Sequence, residues 1–157
     1  MEELYSALSK EGFNYTERFQ AKSMLRRLNR AVVTVSSPPE PSSIRACMHP
    51  APVDTAFQGL LAGFSFPGDG RVGTIYLPTR VECVRISMLP SELPASVLTA
   101  DATVTSTGKA TFTGDVDLFD AATARTEVQI RGVRLTAVGQ RRDPWLYAGT
   151  TWMRDAS

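Results

Sequence analysis

At 157 residues the chain is one domain long and large enough to bury a proper core without disulfide or metal staples. Hydrophobic content of 43% and charged content of 21% are those of an ordinary soluble globular protein, and a net charge of +1 argues against nucleic acid as the main partner. No apolar run has membrane length, and Glu2 and Glu3 stand where a signal segment would carry positive charge, so the expected compartment is the cytoplasm, with no membrane partner.

Glu2 to Lys10 reads as a short helix, with acids at its start, Leu4 and Leu8 four residues apart, and Gly12 just past its end. Two strands follow, roughly Ala21–Leu28 and Ala31–Ser36, hinged near Asn29; the basic run Lys22, Arg26, Arg27 and Arg30 reads as the solvated face of that hairpin. A Ser-Pro-Pro loop stops the second strand, and Ile44 to Met48 reads as a further short strand. Pro52 to about Phe64 is predicted to be a helix that is apolar nearly all round, and therefore buried. Pro67-Gly68-Asp69-Gly70 is a turn cluster, followed by four strand-like stretches: Tyr76–Ser87, Val97–Thr107, Ala110–Phe119 and Glu127–Gly139. Leu98, Ala100, Ala102 and Val104 alternate with polar residues, and Phe112, Gly114, Val116 and Leu118 answer them across a tight turn at Gly108-Lys109. Gly132 interrupts the alternation of the last stretch and predicts a bulge or register change. The pattern as a whole is α+β, with a long antiparallel sheet and one central helix. Cys47 and Cys83 are too few and too far apart for a metal site or redox pair, and no metal is expected.

The segment from His49 to Gln58 carries the chemistry. Pro50 and Pro52 suit a helix start, and if the segment is helical Asp54 and Gln58 share a face one turn apart. Thr55, Ala56, Phe57 and Gly59 to Ala62 offer no other charge, so Asp54 is costly to ionise unless it is capping the helix, paired or catalytic.

The string His49-Pro50-x-x-x-Asp54-x-x-x-Gln58 resembles the H-P-x-x-x-D-x-x-x-Q pattern of the second half of polyketide synthase dehydratase domains, especially those of fungal highly reducing synthases. Tyr5-x-x-Leu8, then Gly12-x-x-Tyr15 and Phe19, is similar to the family's opening segment, with Thr16-Glu17 where the family has Gly-Pro. Leu77-Pro78 through Arg85-Ile86 is similar to the strand after the catalytic helix, and Pro144-Trp145-Leu146-Tyr147 to Trp152 to the exit from the domain. The resemblance implies a hotdog fold over residues 1–142, the second half of a double hotdog, with an exit segment at 143–157.

It implies further that Asp54 is the catalytic acid and Gln58 its hydrogen-bond partner. Tyr15 lies near the reacting centre in the family, although an interfacial aromatic with a wet tip is an equal reading of the residue itself. His49, the one histidine in the chain, reads as structural at the helix start, with a lesser candidacy for the chemistry. Phe57, Leu61 and Pro78 become candidates for a substrate tunnel. The reaction so implied dehydrates a 3-hydroxyacyl thioester; it needs no cofactor of the chain's own, because phosphopantetheine on an acyl carrier protein carries the substrate. The family's histidine base belongs to an amino-terminal hotdog whose motif is not matched here. The implied partners are that hotdog, the acyl carrier protein and other synthase domains, with a homodimer when the chain is isolated and no activity on its own. A non-catalytic acyl-binding or carrier-binding scaffold, or a product-template cyclisation domain, are the alternatives.

Overall fold

The computed structural model describes residues 2–10, 12–36, 49–65, 74–87 and 97–138. The expected strand at Ile44–Met48, Cys47, the Pro67-Gly70 turn and the exit segment 143–157 lie outside them.

Helix α1 (Glu2–Lys10) buries Leu4 and Leu8, as their spacing predicts, and it ends where Gly12 takes φ +97, letting the Phe13 N–H reach back to the Leu8 carbonyl at 2.9 Å. A 3-10 turn (Glu17–Phe19) then stands in for the missing Gly-Pro, closed by the Phe19 N–H on the Thr16 carbonyl at 2.8 Å. Strands β1 (Ser23–Arg27) and β2 (Arg30–Ser36) form a two-residue hairpin. The first strand starts two residues later than expected because Ala21 is engaged by Tyr5. Lys22, Arg26, Arg27 and Arg30 are all exposed, as a solvated hairpin face requires, and Arg30 pairs with Asp101.

The central helix α2 spans Pro50–Phe64, two residues longer at its start than the sequence predicts, because His49 is an effective cap. Its covering comes from β3 (Ile75–Arg80), β4 (Cys83–Ile86), β5 (Val97–Thr107), β6 (Thr111–Asp120) and β7 (Thr126–Val138) together with the first hairpin. All pairings are antiparallel, in the order β1-β2-β5-β6-β7-β3, with β4 also on β7. This is the hotdog: the sheet wraps the helix, which packs on β2, β5 and β6.

The sequence stretch Tyr76–Ser87 is not one strand. On β7 two residues, Arg131 and Gly132, stand opposite the single Asp115 of β6, and Gly132 has φ +63 with its N–H on Asp115 Oδ1 at 2.9 Å. The neighbouring strand breaks at the same level, Arg80 pairing with Arg134 and Cys83 with Arg131. The extra residue shifts the alternation by one, so Val128, Ile130, Val133 and Leu135 all face the core. Leu77, Val81, Val84, Ile86 and Val138 remain exposed along β3, β4 and the end of β7. Cys83 is a partly buried free thiol, and no helix among the described residues is long and apolar enough to cross a membrane.

The helix sits close to the sheet because small residues line the contact. A Cβ on Gly59 would lie 2.9 Å from Val33 Cγ2 and 3.0 Å from Ala102 Cβ; one on Gly63 would lie 2.9 Å from the Asn29 carbonyl oxygen. Across the contact, a Cβ on Gly114 would meet Leu60 Cδ2 at 2.5 Å and the Thr103 carbonyl oxygen at 2.7 Å, and the backbone oxygen cannot step aside. Gly114→Ala should therefore destabilise the fold by about 1–3 kcal/mol, the usual cost of overpacking. Chemical denaturation checks this, and an unchanged midpoint would show the helix free to retreat.

Candidate active site

Nine residues at ~100° each place Asp54 on the side of α2 opposite Gly63, facing away from the sheet. Phe57, Gln58 and Leu61 follow Asp54 at three, four and seven residues and share its stripe. The helix begins at Pro50, so Asp54 is its fifth residue and the first turn contains no acid. The capping role belongs instead to His49, whose extended backbone (φ −66, ψ 138) leads into the helix and whose Nδ1 accepts the Ala51 N–H at 3.1 Å.

The organiser of the site is Gln58, 1% exposed. Its Nε2 donates to Asp54 Oδ2 at 3.1 Å and to the Phe19 carbonyl at 2.8 Å, while its Oε1 accepts the Tyr5 hydroxyl at 2.8 Å. Tyr5 in turn accepts the Ala21 N–H at 2.6 Å. Tyr15 stands over this group, edge-on to Tyr5 with ring centroids 6.1 Å apart and stacked on Phe13 at 5.7 Å. Its ring is partly buried against the core and its hydroxyl has no hydrogen-bond partner among the described residues.

Burial pushes the Asp54 carboxyl above the ordinary carboxylate range, and the Gln58 hydrogen bond pulls the other way without cancelling it. Burial, reinforced by the nearby Asp54 and Tyr5, pushes Tyr15 up to about 12. Tyr5 is raised by burial too, against the Ala21 hydrogen bond, with Asp54 adding to the rise. Near neutrality, then, a partly buried carboxyl with an enhanced hold on its proton lies beside two protonated phenols.

Asp54 and Gln58 are in contact, as their spacing predicts, and Tyr15 lies close enough for Asp54 to shift its titration. Leu61 is buried in the core next to Gln58, and Phe57 is partly buried against the same core. Pro78 is exposed on β3 opposite Leu135, and nothing among the described residues joins it to Asp54. Its strand meets α2 where Tyr76 touches Phe64, ten residues and ~15 Å along the helix from the acid. His49 lies on the same helix start but is occupied in capping. Tyr5 and the Phe19 carbonyl escape a sequence reading of the site. The available signals are that both residues belong to the opening segment that resembles the family's and that Tyr5 adjoins the buried Leu4–Leu8 stripe, but no spacing rule connects Tyr5 to a residue 53 positions away.

Residues 1–144 match the family model described as "Polyketide synthase dehydratase N-terminal domain". The chain is 83% identical over 157 residues to the reducing polyketide synthase grgA of Penicillium sp, and 62% identical over 155 residues to polyketide synthase 19 of Gibberella fujikuroi. It is covered over 100% and 99% of its length in these matches and spans 6% of each synthase. Among solved structures, the CurK dehydratase has the same fold. Its inactive aspartate-to-asparagine mutant matches with a TM-score of 0.68 at 18% identity, over 88% of this chain and 47% of that one. Its inactive histidine-to-phenylalanine mutant matches with a TM-score of 0.65 at 20% identity, over 87% and 46%.

A carboxyl whose proton is held more tightly in the folded than in the unfolded chain makes stability fall as pH rises. The fall begins near the unfolded value of ~3.9 and ends above the folded value. Asp54→Asn should consequently be more stable than the parent chain at neutral pH, the difference vanishing below pH ~3.5. Urea denaturation at the two pH values checks the sign; equal stability at neutral pH would mean Asp54 ionises without cost.

Proposed function

Because the chain belongs to the polyketide synthase dehydratase family, we propose that it is the carboxy-terminal hotdog of a dehydratase that converts a 3-hydroxyacyl thioester on an acyl carrier protein to the 2-enoyl thioester. The observation that carries this reading is the Asp54–Gln58 pair, a carboxyl raised by burial and fixed through one oxygen.

Loss of water needs a proton removed from C2 and an acid for the hydroxyl leaving C3, since hydroxide is a poor leaving group. The C2–H electron pair becomes the new double bond, the C3–O bond breaks toward oxygen, and Asp54 delivers the proton that turns the departing group into water. Gln58 occupies Oδ2, which leaves Oδ1 to hold and give that proton. Tyr15, protonated and with a hydroxyl that has no hydrogen-bond partner among the described residues, is suited to hold the substrate hydroxyl at the acid. Phe57 and Leu61 extend the apolar wall beside Asp54, and Pro78 would join it from the β3 edge once a second hotdog closes the tunnel. The reaction calls for no cofactor beyond the phosphopantetheine that carries the substrate.

The base is assigned to the amino-terminal hotdog. The chain's single histidine spends its Nδ1 on the helix cap. In the CurK dehydratase the histidine and aspartate whose mutants are inactive lie further apart along the chain than the 157 residues present here. The matching family model is described as an N-terminal domain; the Asp54–Gln58 helix is the feature that supports reading this chain as the other half. The exposed apolar edge of β3 and β4 is the surface offered to the missing hotdog, and in isolation it favours a homodimer.

In the complete dehydratase, Asp54→Asn should lower turnover of a 3-hydroxyacyl pantetheine thioester by about 10²-fold or more with folding intact. Mass spectrometry of the enoyl product reads this, and undiminished turnover would remove Asp54 from the chemistry. The chain alone should release no water. If joining both halves still gave none, a non-catalytic acyl-binding scaffold would be the better reading.

A further inference from the structure

We propose that Tyr5 is a positioning residue of this site: its hydroxyl sets which end of the Gln58 carboxamide faces Asp54. The inference rests on the reading of Asp54 as the acid and adds a residue to it.

A carboxamide can present either oxygen or NH₂, and the two ends are nearly identical in shape. Against a carboxyl they act oppositely, since N–H steadies an acceptor oxygen and C=O repels it. Two groups of fixed polarity decide the matter here. The Phe19 carbonyl can only accept, so the end it meets at 2.8 Å is the NH₂. The Ala21 N–H can only donate, so it takes a lone pair of the Tyr5 oxygen at 2.6 Å and leaves the phenol hydrogen for Gln58 Oε1 at 2.8 Å. With both ends assigned, the remaining amide N–H points at Asp54 Oδ2. The Tyr5 ring also packs edge-on to Tyr15, a contact phenylalanine would keep. Only the hydroxyl couples α1 to the acid, and that separates positioning from packing.

Tyr5→Phe in the complete dehydratase leaves Oε1 without a donor, and the carboxamide loses one of its two anchors. Expected is a fall of about tenfold in kcat with KM within about twofold, together with a displacement of the alkaline limb of the kcat–pH profile, where the acid loses its proton, toward higher pH. Because Tyr5 acts through Gln58, Tyr5→Phe made on a Gln58→Ala background should cost nothing further in kcat. A further tenfold loss on that background, or unchanged kcat in the single variant, would overturn the proposal.

The Asp54 carboxyl can also be titrated without turnover, by ¹³C-labelled aspartate spectra of the same protein. Tyr5→Phe should raise its midpoint, because a loosened N–H favours the carboxylate less. That measurement separates the two ideas: a midpoint that moves in a protein lacking dehydration would sustain Tyr5 and sink the activity. An unmoved midpoint sinks Tyr5 alone. Should Tyr5→Phe fail to fold, with the Ala21 N–H also left unpaired, a fluorinated tyrosine at position 5 keeps the shape and both bonds. As a stronger donor it should lower the Asp54 midpoint, and no change would again overturn the assignment.

Discussion

Everything at the site hangs on one buried carboxamide. Gln58 lies inside the protein with its oxygen and both hydrogens committed to Tyr5, Phe19 and Asp54, and leaving any of them unpaired would cost about 1–3 kcal/mol. Satisfying it forces helix α1, the 3-10 turn and helix α2 into a single arrangement. The orientation of Asp54 is then a by-product of a structural necessity. A site held this way does not depend on the flexible ends of long side chains; it is as stiff as the backbone segments that meet there.

The two sides of α2 divide the work. The side toward the sheet is made of Gly59, Gly63 and Ala56, against Ala31, Ala100 and Ala102, and it brings the helix in so closely that one added methyl collides. The opposite side carries the acid and its apolar flank. Rigidity on the first side is what makes precision on the second meaningful, because a helix able to slide would carry Asp54 with it. The raised carboxyl works against stability, and the packed side supplies the stability that tolerates it.

Much of this was legible in the chain. Alternation in the last three strands named the core-facing residues correctly, and the spacing of Asp54 and Gln58 predicted their contact, because both are local properties of a regular element. Helix α2 starts two residues before the Pro52 that the sequence suggests, because proline is well tolerated in a first turn once His49 caps it. The split of β3 from β4 was missed because its cause sits on another strand, at Arg131–Gly132. Tyr5 was missed as a site residue for the same reason, its partner lying 53 positions away. Local patterns write the elements; the long-range hydrogen bonds that complete the site leave no periodic trace.

The bulge at Gly132 has a consequence wherever other strands lie close at hand. The chain corresponds to 6% of the length of each of two synthases it resembles, and in a polypeptide of that length other strands would be tethered nearby at high effective concentration. A straight, apolar outer strand would invite any of them to anneal to it. At the β7 end of the sheet the outer strand is cut in two and bent where β7 gains its extra residue. A foreign strand can follow it for four to six residues before the register fails. The kink thus acts as a brake on pairing along this edge, most easily met by a contour that carries the complementary break.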